Sequence, residues 1–201
     1  MSKGRRKSKI KKQPKSPRIV SATKATETAP LPPGMGKLAP DRAVVTSKEI
    51  FIAAPVELCF DTLTSQLEQP RQWDLVIVNT RPVSTVRGRI GATSQVTLNL
   101  GGKERQSLAM ISRYRPNRAI SWVLAKKPKA REDWQLELVP RGTTVSVTLA
   151  YEVPGWVIGH LLDKIMRRKK VEHDLDKTLT QLKAVVESTS RDQRTTGKWR
   201  L

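Results

Sequence analysis

Between Pro154 and Glu187 the chain reads PGWVIGHLLDKIMRRKKVEHDLDKTLTQLKAVVE, its only long stretch with sustained helical periodicity. Val157, Leu161, Ile165, Leu175, Leu179, Leu182 and Val186 fall on one stripe at the spacing of an α-helix. Unbroken, such a helix would extend about 50 Å, which predicts a bend near Gly159 or an exposed last turn. A single helix cannot bury a stripe of this length against itself. The residues available to cover it are the strand-like runs of the preceding hundred positions.

Those runs begin with VVTSKEIFI, inside Ala43 to Ile52, which Ala54-Pro55 terminates. Pro55 suits the first turn of a short helix, PVELCFDTLTS, whose inner side would carry Val56, Cys59, Phe60 and Leu63. Pro70-Arg71-Gln72-Trp73 reads as a second short turn with Trp73 at the core's edge. Six further strands are expected: Leu75 to Arg81, Thr93 to Leu100, Glu104 to Tyr114, Ala119 to Ala125, Trp134 to Val139 and Thr143 to Val153. Pro82, Gly88 with Gly91, Gly101-Gly102, Pro116-Asn117, Pro128 and Arg141-Gly142 separate them, and connections this short join antiparallel neighbours. In VSVTLAYEV, Val145, Val147, Leu149 and Tyr151 alternate with polar residues, as a sheet with one wet face requires. The expected fold class is α+β: about seven antiparallel strands curved around a long C-terminal helix, with two short helices after the first strand. One helix cannot fill the whole concave face, so a cavity is expected between them.

Charge is distributed unevenly. Residues 1–41 hold 11 of the 38 Lys and Arg and 2 of the 18 acidic residues, a net +9 out of +20. With almost nothing apolar to bury, residues 1–41 are expected to be a basic tail, disordered when free; residues 42–188 form the folded domain and 189–201 a flexible extension. Arg5, Arg6, Lys7, Lys9, Lys11, Lys12, Lys15 and Arg18 are the tail's candidate polyanion contacts, to nucleic-acid phosphates or an anionic membrane face. The plainer reading is a solubilising extension, since no aromatic interleaves the charges to stack on bases. A lone cysteine, Cys59, excludes an intrachain disulfide and a cysteine-cluster metal site. On an apolar helical face it reads as a small core residue. No run of 18 apolar residues spans a membrane, and no apolar stretch follows Arg5-Arg6 to make an export signal. The expected location is cytoplasmic, with peripheral attachment to the inner face of a membrane as one option.

Several segments together resemble a known family. EIFIAAPVELCFDTLT (Glu49 to Thr64), PRQW (Pro70 to Trp73), Gly88-x-x-Gly91, WQLELVPRGTTVSVTLAYEVPG (Trp134 to Gly155) and EHDLDKTLTQLKAVVE (Glu172 to Glu187) resemble the polyketide cyclase/dehydrase-like branch of the SRPBCC superfamily. That superfamily shares the helix-grip fold with START lipid-transfer domains, the birch-pollen allergen family and coenzyme Q-binding proteins. The resemblance covers about Val44 to Glu187 and implies a hydrophobic cavity for a lipid, quinone, polyketide or aromatic ligand. None of its motifs is a catalytic signature.

The candidate site residues follow from the stripe and the aromatics. Arg168 and Glu172 stand within the stripe, about 20° either side of Leu161 and Leu179. Either they make a polar contact inside the cavity, or they form an i,i+4 pair bridging out to its rim. Trp73, Trp122, Trp134, Tyr151, Leu161 and Ile165 are the candidate ligand-lining residues, with Trp156 beside them; the plainer reading of each is core. Catalytic candidates are Tyr151, Glu172 and Arg168, to polarise a carbonyl. His160 and His173 lack a partner at a recognisable spacing and read as surface, which also disfavours zinc. No cofactor is expected. The leading expectation is a carrier or binding module for a hydrophobic small molecule, localised by its basic arm. The alternatives are a cyclase or dehydratase, and a structural protein of a nucleic-acid-rich assembly.

Overall fold

Alternation of period two becomes strand wherever the sequence carries it. The computed structural model describes residues 38–39, 43–65, 77–100, 103–124, 129–152 and 161–195, with side chains of the last segment from Arg168 onward. Its elements are β1 (Ala43–Ile52), α1 (Val56–Ser65), β2 (Ile77–Pro82), β3 (Thr93–Leu100), β4 (Lys103–Arg115), β5 (Ala119–Leu124), β6 (Ala130–Val139), β7 (Gly142–Glu152) and α2 (Leu161–Thr195). The strands form one seven-stranded antiparallel sheet in the order β1-β7-β6-β5-β4-β3-β2. The long helix packs along β1, and the short helix lies against β6 and β7. The basic tail, the second short helix near Trp73, the bend at Gly159, Trp156 and His160 lie outside the described residues, as do the side chains of Leu161 and Ile165.

The inner face follows the expected parity. Val145, Val147, Leu149 and Tyr151 of β7 are buried, and their pairing partners on β1 and β6 face the same way. A register shift between Ile111 and Arg113 changes the parity of β4. Ile111 faces inward before it and Tyr114 after it, so that Tyr114 meets Phe60 of α1 edge-on, ring centroids 5.3 Å apart. That contact and buried Leu63 fix α1 under one end of the sheet.

Two boundaries differ from the sequence reading. β6 begins at Ala130 rather than Trp134, because AREDW looks polar although Ala130 and Glu132 continue the inward set of Trp134 and Leu136. The long helix runs to Thr195, so the expected end of the domain at 188 falls inside it, and Ser190 is buried. Past Val186 its inward position is a serine, leaving no apolar mark to read. Val171 is a further buried stripe position that the sequence reading omitted.

β1 is an edge strand, which leaves backbone groups open to another chain. Side chains of α2 occupy that edge. Lys183 Nζ donates to the Phe51 carbonyl at 2.9 Å, Glu187 Oε1 accepts from Ala53 N–H at 2.9 Å, and Asp176 pairs with Lys48 at 2.8 Å. Where β1 ends it crosses close over the start of β7: a Cβ on Gly142 would stand 2.2 Å from the Ile52 carbonyl oxygen. Only glycine fits there, and the preceding turn residue, Arg141, takes the left-handed conformation at φ 71°.

Candidate ligand site between sheet and helix

Among the described residues α2 packs against β1, and α1 against β6 and β7. Along the inner face, from β2 to β7, lie two adjoining pockets that share Ile77 and Trp122. One continues past Val86, Val96 and Ile111; the other past Leu98, Leu124 and Leu149. Each has a cavity volume of ≈ 20 Å³, room for about one water.

The chemistry of this wall centres on Glu132, a residue sequence reasoning missed. It lies opposite Trp122 on β5 and Leu149 on β7, and it is 3 % exposed. Its carboxylate accepts a hydrogen bond from the Trp122 indole N–H, the kind of partner a buried carboxyl requires. The signal available in the sequence was the step of two from Trp134 and Leu136 back to Glu132. Trp134 packs against Trp122, centroids 6.4 Å apart, and is itself fully buried beneath it. On β2, Thr80 Oγ1 is buried without a hydrogen-bond partner among the described residues.

Of the other sequence candidates, Tyr151 lies at the end of the wall where α2 enters, 8 % exposed. Arg168 and Glu172 form an i,i+4 ion pair at 2.8 Å, their side chains 59 % and 31 % exposed, which places them at the rim. They still act on Tyr151 electrostatically. Burial raises the phenol's pKa above its ordinary 10.0; the Arg168 charge works against that rise and the Glu172 charge adds to it. A raised phenol pKa contributes stability below pH 10.0 that is lost as pH climbs through the folded value.

Cys59 is buried in the core, and burial pushes its thiol up to about 11, so it stays protonated and inert at neutral pH. His173 is exposed. No set of three metal-ligating side chains occurs among the described residues, and no described helix is long and apolar enough to cross a membrane. Trp73 and the tail residues Arg5, Arg6, Lys7, Lys9, Lys11, Lys12, Lys15 and Arg18 fall outside the described residues.

The rim geometry makes a titration prediction. With Tyr114→Phe leaving Tyr151 as the single phenol, phenolate absorbance should rise only above pH 10.0. Adding Arg168→Gln should move that transition to higher pH, and adding Glu172→Gln to lower pH. Absorbance at the phenolate band against pH reads both, and shifts of the opposite sign would contradict this placement.

The family model described as polyketide cyclase/dehydrase and lipid transport matches residues 43–187. No curated protein matches significantly. Among solved structures, TTHA0849 from Thermus thermophilus is similar at TM-score 0.61 and 19 % identity, over 73 % of this chain and 99 % of that one. The di-domain ARO/CYC StfQ from the steffimycin biosynthetic pathway is similar at TM-score 0.59 and 12 % identity, over 74 % of this chain and 52 % of that one. Ara h 8.0201 is similar at TM-score 0.54 and 16 % identity, over 73 % and 99 %. Identities this low establish a shared fold and nothing finer. The match over 43–187, together with the curved seven-stranded sheet and its long closing helix, establishes that the chain belongs to the polyketide cyclase/dehydrase and lipid transport family of the SRPBCC superfamily.

Proposed function

We propose that the domain binds a hydrophobic small molecule carrying one hydrogen-bond donor, held between the inner wall and α2 with Glu132 as its polar anchor. The observation that supports this is the placement of Glu132 in a wall of Ile77, Leu98, Leu124 and Leu149. Burying a carboxyl costs several kcal/mol, and a well-packed apolar side chain at such a position is commonly neutral or stabilising. Stability therefore gives no reason for Glu132. A ligand hydroxyl or N–H reaching it gains a hydrogen bond that apolar surroundings strengthen. A drug-sized ligand needs about 300 Å³, so binding requires the two small pockets to merge and widen. A useful probe is 1-aminoanthracene, an apolar fluorophore with one amine. Its emission should rise on mixing with the full chain, and Glu132→Leu should weaken binding about ten-fold while melting no lower than the parent. Absence of binding by the parent, or equal binding by both proteins, would sink the reading.

A second reading, catalysis of cyclisation or dehydration on a polyketide-like substrate, draws support from Tyr151. Its burial keeps the phenol protonated, able to donate to a substrate carbonyl, with Arg168 and Glu172 beside it as electrostatic partners. Under this reading, Tyr151→Phe or Glu172→Gln abolishes turnover of a poly-β-keto thioester while the same compound still binds. Unchanged turnover in both variants would remove these residues from any catalytic role.

The basic arm adds localisation on a polyanion to either reading; a structural role in a nucleic-acid-rich assembly is the extreme form. Removing residues 1–40 should release the chain from both anionic vesicles and RNA in co-sedimentation at low salt. Each phosphate that the arm no longer neutralises should flatten the salt slope by about 0.9. Equal sedimentation before and after truncation would refute the arm's role.

A further inference from the structure

A cavity larger than either interior pocket lies outside the core. It is a groove of ≈ 550 Å³ lined by polar residues of β1, β4, β6 and β7 and bordered by the apolar Val56, Leu136 and Leu138. Its basic end is built by the β4–β5 hairpin. The register shift after Ile111 turns Arg113 and Arg115 toward the groove, opposite Ser121 and Ala119, which are too short to fill the space beside a guanidinium. Asn117 closes the hairpin at φ 57°, a left-handed conformation that asparagine tolerates, and the turn sets Arg118 against the same groove. None of the three guanidiniums forms an ion pair with a described residue.

Carboxylates are present in the groove but held apart from these cations. Glu137 lines it from β6, two strands away from β4, and Glu49 from β1, beyond β7. At about 4.8 Å per strand, Glu137 is about 10 Å from the arginines. Between the two carboxylates, on β7, lie the short polar side chains Thr144 and Ser146. The groove is thus dipolar, cationic at one end and hydrogen-bond-accepting at the other. Three arginines without a carboxylate partner among the described residues repel one another and contribute nothing to the fold that a neutral surface would not. Guanidinium groups match phosphate oxygens bidentately. Among the described residues no aromatic lines the groove, so they offer no surface on which a base would stack.

We propose that this groove binds a hydroxylated phosphomonoester of the sugar-phosphate or polyol-phosphate class. Arg113, Arg115 and Arg118 take the phosphate dianion, and Glu137, about 10 Å away, accepts the far hydroxyls. The groove shares no lining residue with the two interior pockets and stands independently of the interior reading.

The experiment is calorimetric titration of the full chain at low salt with glucose 6-phosphate, inorganic phosphate and glucose. Glucose 6-phosphate should bind about ten-fold more tightly than inorganic phosphate, and glucose should give no heat. The double variant Arg113→Gln/Arg115→Gln should lose about ten-fold in affinity for glucose 6-phosphate. Lys169→Gln/Lys170→Gln, equal in charge change but exposed on α2, should stay within about two-fold of the parent. Glu137→Gln should weaken glucose 6-phosphate and leave inorganic phosphate unaffected or tighter. Thermal melting of each variant verifies the fold. Equal losses in the two double variants would mean that the net charge of +20 attracts phosphate without a site, and would overturn the proposal. So would inorganic phosphate binding as tightly as the sugar phosphate.

Discussion

The structure depends on one mismatch: a seven-stranded sheet has an apolar face wider than one helix can cover. At about 4.8 Å per strand the sheet is about 29 Å across, while a helix with its side chains is about 10 Å wide. Burying α2 against the β1 edge satisfies Leu175, Leu179, Leu182 and Val186, all essentially inaccessible to solvent. Ile77, Val96, Leu98 and Trp122, farther from that edge, are buried as well. Bulges at Ile111/Arg113 and Ile77/Asn79 bend the strands there locally. Both interior pockets are lined by Ile77 and Trp122 of this part of the wall.

The pockets are small, which bears on what the wall is for. A core optimised for packing has few voids and no carboxyl facing them. Here the residue between the pockets is Trp122, and the group it donates to is Glu132. The pair fixes the indole's orientation by a hydrogen bond, where an apolar neighbour would fix it by contact alone. Removing the carboxyl would free the ring to fill the gaps. The pair therefore sets a polar group beside the pocket it lines.

How much of this was legible in the sequence depended on whether polarity and position agreed. Where apolar residues marked the inner face, as in Val145 to Tyr151 or Leu175 to Val186, strand, helix and buried side were all readable. The edges failed where an inward position was polar: Glu132 hid the first residues of β6, and Ser190 hid the last part of α2. Arg168 and Glu172 show the converse. Their helical phase placed them on the stripe, yet phase says nothing about where along the helix its cover stops. Arg113 and Arg115 were beyond periodicity altogether, because the bulge that turns them outward shifts the parity of β4, and nothing in KERQSLAMISRYR announces it.

The distribution of buried side chains along α2 indicates where the interior is weakest. The C-terminal half of the helix is fastened by four fully buried aliphatics and by Lys183 and Glu187 on the β1 edge. Toward its start, the described side chains Arg168, Lys169 and Lys170 are exposed and Val171 alone is buried until Leu175. Local opening free energy follows the density of buried apolar contact, so displacing the segment 168–174 costs less than displacing the segment from Leu175 to Val186. That segment 168–174 lies beside Tyr151, at the end of the wall nearest Ala130 and Glu132. Widening there enlarges the space next to the Trp122–Glu132 pair without disturbing the half of the helix that holds the sheet, so a core with room for two waters is compatible with taking in a much larger guest.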